Sequence, residues 1–245
     1  MSMKAKMLFV AAVSVSLGAT ALVGCGSEKD SGEVFGGKSA DTIASDAVKA
    51  TRDTESLRIV GKSEQPGGNE IELDFSVDEQ DRCTGTMSGK GAKADVLQVG
   101  QKAYVRGDKK FWENTLQGKP GTEGAVEKLQ GKWVKSEPGK SGTEGMCDKQ
   151  ALLASLDSDK SERKGMKKGE TTEIDGRSAL ALEKKQPGGE KITMYVATEG
   201  EPYILKAVTE GGETPSEVVL SDFDKKVEVQ EPAAGDVVDP KKATA

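Results

Sequence analysis

The sequence predicts an α+β fold, with antiparallel strand meanders packed against a few helices. Three observations carry that prediction. Ile71, Leu73, Phe75 and Val77 alternate with Glu72, Asp74, Ser76 and Asp78, the period-two pattern of a strand with one apolar and one wet face. Gln65-Pro66-Gly67-Gly68 returns as Gln186-Pro187-Gly188-Gly189, each time between two strand-like runs. Ser39 to Thr54 precedes the first of these with Ile43, Ala47, Val48 and Ala50 near helical spacing.

The chain opens on a different kind of segment. Lys4 and Lys6 precede an uncharged apolar run, Met7 to Val23, that closes on Leu22-Val23-Gly24-Cys25. This layout resembles the signal peptide and lipobox of bacterial lipoproteins, in which the cysteine receives a diacylglyceryl group. The alternatives are an ordinary cleaved signal and an uncleaved membrane helix. An ordinary signal has no need of a cysteine after the cut. The run is at the lower edge of spanning length and carries Ser14, Ser16, Gly18 and Thr20. Residues 1–24 are therefore expected to be removed. Cys25, acylated with chains such as palmitate, is expected to hold the protein at the extracytoplasmic face of the cell membrane.

Residues 25–38 are rich in Gly, Ser, Glu and Lys and read as a flexible tether. Residues 39–231 are expected to form one domain. Its first helix, Ser39 to Thr54, has Asp41 as its expected cap. Strands then run on either side of the first Pro-Gly-Gly turn, Leu57–Glu64 and Glu70–Asp78. The second turn separates Arg177–Lys185 from Glu190–Thr198, where Ile192, Met194 and Val196 alternate with Thr193 and Tyr195. Val218 and Leu220 continue the pattern. The echo is read either as a duplicated half or as one good hairpin turn used twice. In the middle, Thr122 and Thr143 are expected to cap short helices, the second running from Met146 to Leu156 with Leu152, Leu153 and Leu156 on one side. Phe111, Trp112 and Trp133 fall in an irregular region, as partner contacts or as plugs under the helical insert. Residues 232–245, with Pro232, Pro240 and no apolar periodicity, read as a disordered tail.

Composition narrows the function. Removal of the leader takes away Lys4 and Lys6 and no acid, which leaves 33 basic against 41 acidic residues and a net charge of −8. Such a surface argues against nucleic acid and against a basic grip on anionic headgroups. The chain has no histidine, which removes Ser-His-Asp and Cys-His catalysis and the usual zinc sites. Gly85 to Lys90 lacks the phosphate-cradling spacing, and no cofactor or metal site is expected. With Cys25 assigned to the anchor, Cys83 and Cys147 remain, and an exported chain is expected to join them in a structural disulfide.

Helix, meander, helical insert and second meander, in that order, resemble the actinobacterial lipoproteins of the LppX/LprA/LprF/LprG family. The local matches are Glu201-Pro202-Tyr203-Ile204-Leu205-Lys206 and Val219-Leu220-Ser221-Asp222-Phe223-Asp224, followed by Val227. The resemblance implies a LolA-like fold: a strongly curved antiparallel sheet, a half-barrel, packed against a few helices. It also implies a monomeric, non-enzymatic binder or carrier of a lipid or glycolipid. Ile71, Leu73, Phe75, Ile192, Met194 and Val196 are then the candidate pocket residues, each equally readable as plain core. With five Phe, three Tyr and two Trp, the apolar wall is lean. The alternative is an anchored interaction or regulatory module with a solid core and no small-molecule ligand.

Overall fold

The computed structural model describes residues 35–118, 121–136, 145–155 and 164–239. Leu22, Val23, Gly24 and Cys25 lie outside them, as do Thr143 and Leu156.

Helix α1 spans Ala40–Arg52, and Ser39 rather than Asp41 caps it. Ser39 is extended (φ −66°, ψ 156°), and its hydroxyl accepts the Thr42 N–H at 3.2 Å. Asp41 is already the second helical residue, past the position from which a side chain caps the first turn. Its carboxylate instead accepts the N–H groups of Gly165 and Met166, at 3.0 and 3.1 Å. Ala40, Ile43, Ala44, Ala47, Val48 and Thr51 form the buried stripe. Phe35, expected in the tether, packs against the same core, so the folded domain begins before residue 39.

The first meander is β1 (Ser56–Gln65), β2 (Asn69–Asp78), β3 (Arg82–Gly89), β4 (Ala92–Val99) and β5 (Lys102–Gly107). Two short helices follow, α2 (Lys109–Leu116) and α3 (Thr122–Leu129), then β6 (Trp133–Ser136). Helix α4 (Lys149–Ser155) leads into the second meander: β7 (Lys167–Ile174), β8 (Arg177–Lys185), β9 (Lys191–Ala197), β10 (Ile204–Glu210) and β11 (Ser216–Ser221). A two-residue β12 (Val237–Val238) closes the described chain. All twelve strands join one curved sheet in the order β12-β6-β5-β4-β3-β2-β1-β11-β10-β9-β8-β7. The sheet is α+β in class and open, its ends being β12 and β7. Every pairing is antiparallel except β12 on β6. The echoed units, β1-β2-β3 and β8-β9-β10, run in the same sense along the sheet, an arrangement that duplication and reuse of the turn both produce.

Several local expectations change. Phe111 and Trp112 are buried on α2, and Asp108 caps that helix by accepting the Phe111 N–H at 2.7 Å. Gly121, at φ 74°, takes the N-cap place of α3. Thr122 lies inside the helix, and its hydroxyl donates to Leu116 O. Cys147 belongs to the turn before α4, not to the helix. Asp148 provides the start of α4, accepting from the N–H groups of Gln150 and Ala151. The expected tail from residue 232 is structured as far as Val238, because β6 offers an edge that Val237 and Val238 pair with in parallel.

Candidate functional site

The register sorts the apolar side chains into rows that cross the sheet on its helix-covered face. The deepest is Val134–Val105–Val96–Gly85–Phe75–Ile59–Leu220. Next comes Gly107–Ala94–Met87–Leu73–Gly61–Val218–Ala207–Met194–Leu182. Nearest the hairpin turns is Ala92–Gly89–Ile71–Ser63–Ser216–Thr209–Ile192.

The six candidate residues fall on this grid. Leu73 and Met194 share the middle row, and Ile71 and Ile192 share the outer one. Each pair is separated by four strand spacings, about 19 Å along the sheet. Phe75 lies in the deep row, and Val196 pairs with Leu180 and Ile204 within the same core. Phe75 and Val196 are both 0% exposed, Met194 is 6% exposed, and Ile71, Leu73 and Ile192 are half-buried. The face thus grades from sealed at one end to half-open at the hairpin end. Ser63, Ser216 and Thr209 separate the two isoleucines there, and Gly89 and Ala92 lie beyond Ile71, which keeps that end shallow.

Gly85 sets the depth of the sealed end. A Cβ there would collide with Asp74 O and would lie 2.6 Å from the Phe75 ring. The Phe75 ring therefore occupies the space directly over Gly85. Gly107 plays the same part under Phe111, whose ring carbon would be 2.8 Å from a Cβ.

Short helices roof this face. Residues of α1, α2, α3 and α4 all join one contiguous core with the sheet. The roof is tied down at two points close in sequence. Cys147 is bonded to Cys83 on β3, with their Cα atoms 5.4 Å apart. Lys149, 3% exposed, donates to the carbonyls of Arg52 and Thr54 and to Glu79 Oε1 at 2.8 Å. It thereby serves the last carbonyl of α1, that of Arg52, where a cation is favoured, and one in the turn just beyond the helix.

Four cross-strand ion pairs lie on the other face. Arg58 pairs with Asp74 at 2.6 Å, Lys62 with Glu70 at 2.6 Å, Arg106 with Asp95 at 2.8 Å and Lys206 with Glu217 at 2.9 Å. Tyr203, Leu205 and Phe223, three of the residues that carry the family resemblance, gather on that side with Ala179 and Ala197. The Tyr203 and Phe223 rings stack at 4.3 Å. Among the described residues no group of three or more Asp, Glu, Cys or His is placed to hold a metal.

Met87, Ala94, Ala207 and Val218 complete the middle row, and sequence reasoning did not assign the first three. Met87 is flanked at two-residue spacing by Gly85 and Gly89, so its strand shows no apolar alternation. The usable signal was register. A turn that pairs Gln65 with Asn69 also sets Ile59 opposite Phe75 and Gly61 opposite Leu73.

No protein-family model matches the sequence, and neither does any curated protein. Solved structures do resemble it. LprF from Mycobacterium bovis superposes with a TM-score of 0.52 at 14% identity, over 80% of this chain and 97% of LprF. The fold is that of LprF. The lipoprotein LppX from Mycobacterium tuberculosis aligns at 0.46 and 14% identity, over 78% of this chain and 98% of its own. A LolA superfamily protein from Nitrosomonas europaea aligns at 0.29 and 11% identity, over 79% and 96%. Nearly all of LprF is matched, so the likeness is one of the whole LprF fold and not of a fragment of it.

Proposed function

We infer that the mature chain is a non-catalytic lipoprotein of the cell envelope, held by acylated Cys25 at the extracytoplasmic face, whose curved sheet takes up a lipophilic ligand. One observation carries this reading. The helix-covered face is apolar along its deep and middle rows, and toward the hairpin end it gives way to a half-buried row in which Ile71 and Ile192 stand among small and hydroxyl side chains. An apolar concavity roofed by short helices suits acyl chains, and a membrane tether keeps exchange near the bilayer. The LprF-type fold and the family resemblance support the same reading. Ile71, Leu73, Met194 and Ile192 are the proposed contacts, with Phe75 and Val196 forming the floor.

A second reading has its own observation. The deep row is fully packed, so a solid-core interaction module anchored through Cys25 is consistent with that half of the face. Native mass spectrometry of the chain from residue 26 onward, produced in a bacterial envelope, separates the two. Copurifying lipid is expected, and its loss on Leu73→Asp would place it on the middle row. A protein that emerges empty and stays empty when offered lipid vesicles would favour the interaction module.

A further inference from the structure

Trp112 is 6% exposed, and its indole nitrogen is buried with no hydrogen-bond partner. Among the described residues no other buried side-chain nitrogen or oxygen is left in that state. The indole N–H is a donor only, so it has no alternative role to fall back on. Native cores rarely leave such a group without a partner, whether protein, water or ligand. The ring itself is held firmly. Phe111 meets it edge-on, with centroids 5.0 Å apart at 83°, and Phe111 is seated on Gly107. Packing therefore fixes the donor where it is. A phenylalanine would serve the same packing without leaving a donor unsatisfied.

The surroundings say what kind of acceptor would arrive. Trp112 joins the same contiguous core as Leu73 and Met87, and Gly107 beneath Phe111 ends the row on which those two stand. Both are half-buried. An acceptor reaching Trp112 along this row comes embedded in an apolar molecule. We propose that Trp112 Nε1–H is the polar anchor of the ligand site, donating to the ester carbonyl oxygen of an acylated lipid whose chains lie along the Leu73–Met87 row. The assignment rests on the lipophilic-ligand reading above and narrows the ligand to ester-linked lipid over ether lipid or hydrocarbon.

The test uses the full-length chain in mixed micelles with dioleoylglycerol and its dialkyl ether of matched chain length. The unmodified protein is expected to bind the ester about tenfold more tightly, the worth of one well-made hydrogen bond. Trp112→Phe is expected to bring the ester down to the ether value and leave the ether unchanged. Because the chain has two tryptophans, Trp133→Phe leaves Trp112 as the single indole N–H resonance. That resonance is expected to move downfield with the ester and to stay in place with the ether. Equal losses for both lipids in Trp112→Phe, or an unmoved resonance at ester saturation, would overturn the anchor while leaving lipid binding intact. Failure of both lipids to bind would remove the lipophilic-ligand reading and the anchor with it.

Discussion

Gly85 shows how a single residue shapes the sheet. It stands in the deep row, and the space a side chain would need is taken by Asp74 O and the Phe75 ring. Gly85→Ala is expected to destabilise the domain by about 1–3 kcal/mol, the usual cost of overpacking. Gly89→Ala, where the nearest atom is Ile71 Cγ1 at 3.3 Å, is expected to be milder. Urea midpoints of the two variants read the difference, and equal shifts would contradict the role given to Gly85. Lys149 is the polar counterpart. Its ammonium is buried and satisfied by two carbonyls and Glu79. Lys149→Met keeps the volume but removes the donors, and is expected to cost about 1–3 kcal/mol for acceptors left unpaired.

At the scale of elements, two ties hold pieces that local sequence signals would leave loose. The Cys83–Cys147 bond closes a separation of 64 residues. Its loss is expected to lower stability by about 4 kcal/mol on the chain-entropy account. Cys147→Ser should therefore lower the oxidised midpoint, while wild type and variant should coincide in reductant. The second tie is the segment from Val227 to Val238. Glu231 bonds Lys102 at 2.7 Å and accepts from the Tyr104 hydroxyl at 3.0 Å before the chain pairs with β6. The Lys102 hydrogen bond, then the one from Tyr104, holds the Glu231 carboxyl below its ordinary value of 4.5. A depressed carboxyl adds stability above its unfolded value and loses it as pH falls through the folded one. Protection of the Val237 and Val238 amides is expected to fall below about pH 4, and Glu231→Gln should flatten that dependence. These elements also mark where the sequence was legible. Strands β1, β2, β8 and β9 could be read because apolar alternation and a glycine turn agree there. The strand after the Glu79–Asp81 turn could be expected, but the inward face of β3 could not be read, since Gly85 and Gly89 replace the apolar residues that would have marked it; β4 and β5 were not assigned. Strand β12 was hidden because its two valines form a strand only when β6 supplies the edge. In the candidate site, the two halves of each row could be read separately. Their alignment could not, because it depends on the long-range pairing of β1 with β11.

For the whole molecule, the question under the proposed reading is what would keep it at a membrane. Without residues 1–24 the chain has a net charge of −8, which opposes adsorption to anionic headgroups, and no described helix is long and apolar enough to span a bilayer. On the proposed reading, attachment depends on the acyl chains of Cys25, each buried methylene contributing about 0.8 kcal/mol. This makes the expected response all-or-none. The unmodified protein should resist extraction by high salt and yield only to detergent. Cys25→Ala should incorporate no labelled fatty acid and should leave the membrane fraction, while the purified domain keeps its sheet spectrum and its capacity for lipid. If Cys25→Ala instead stays in the membrane through a high-salt wash, the run from Met7 to Val23 is the anchor. The protein would then be tethered by its leader, and the lipobox reading would be lost without any consequence for the sheet.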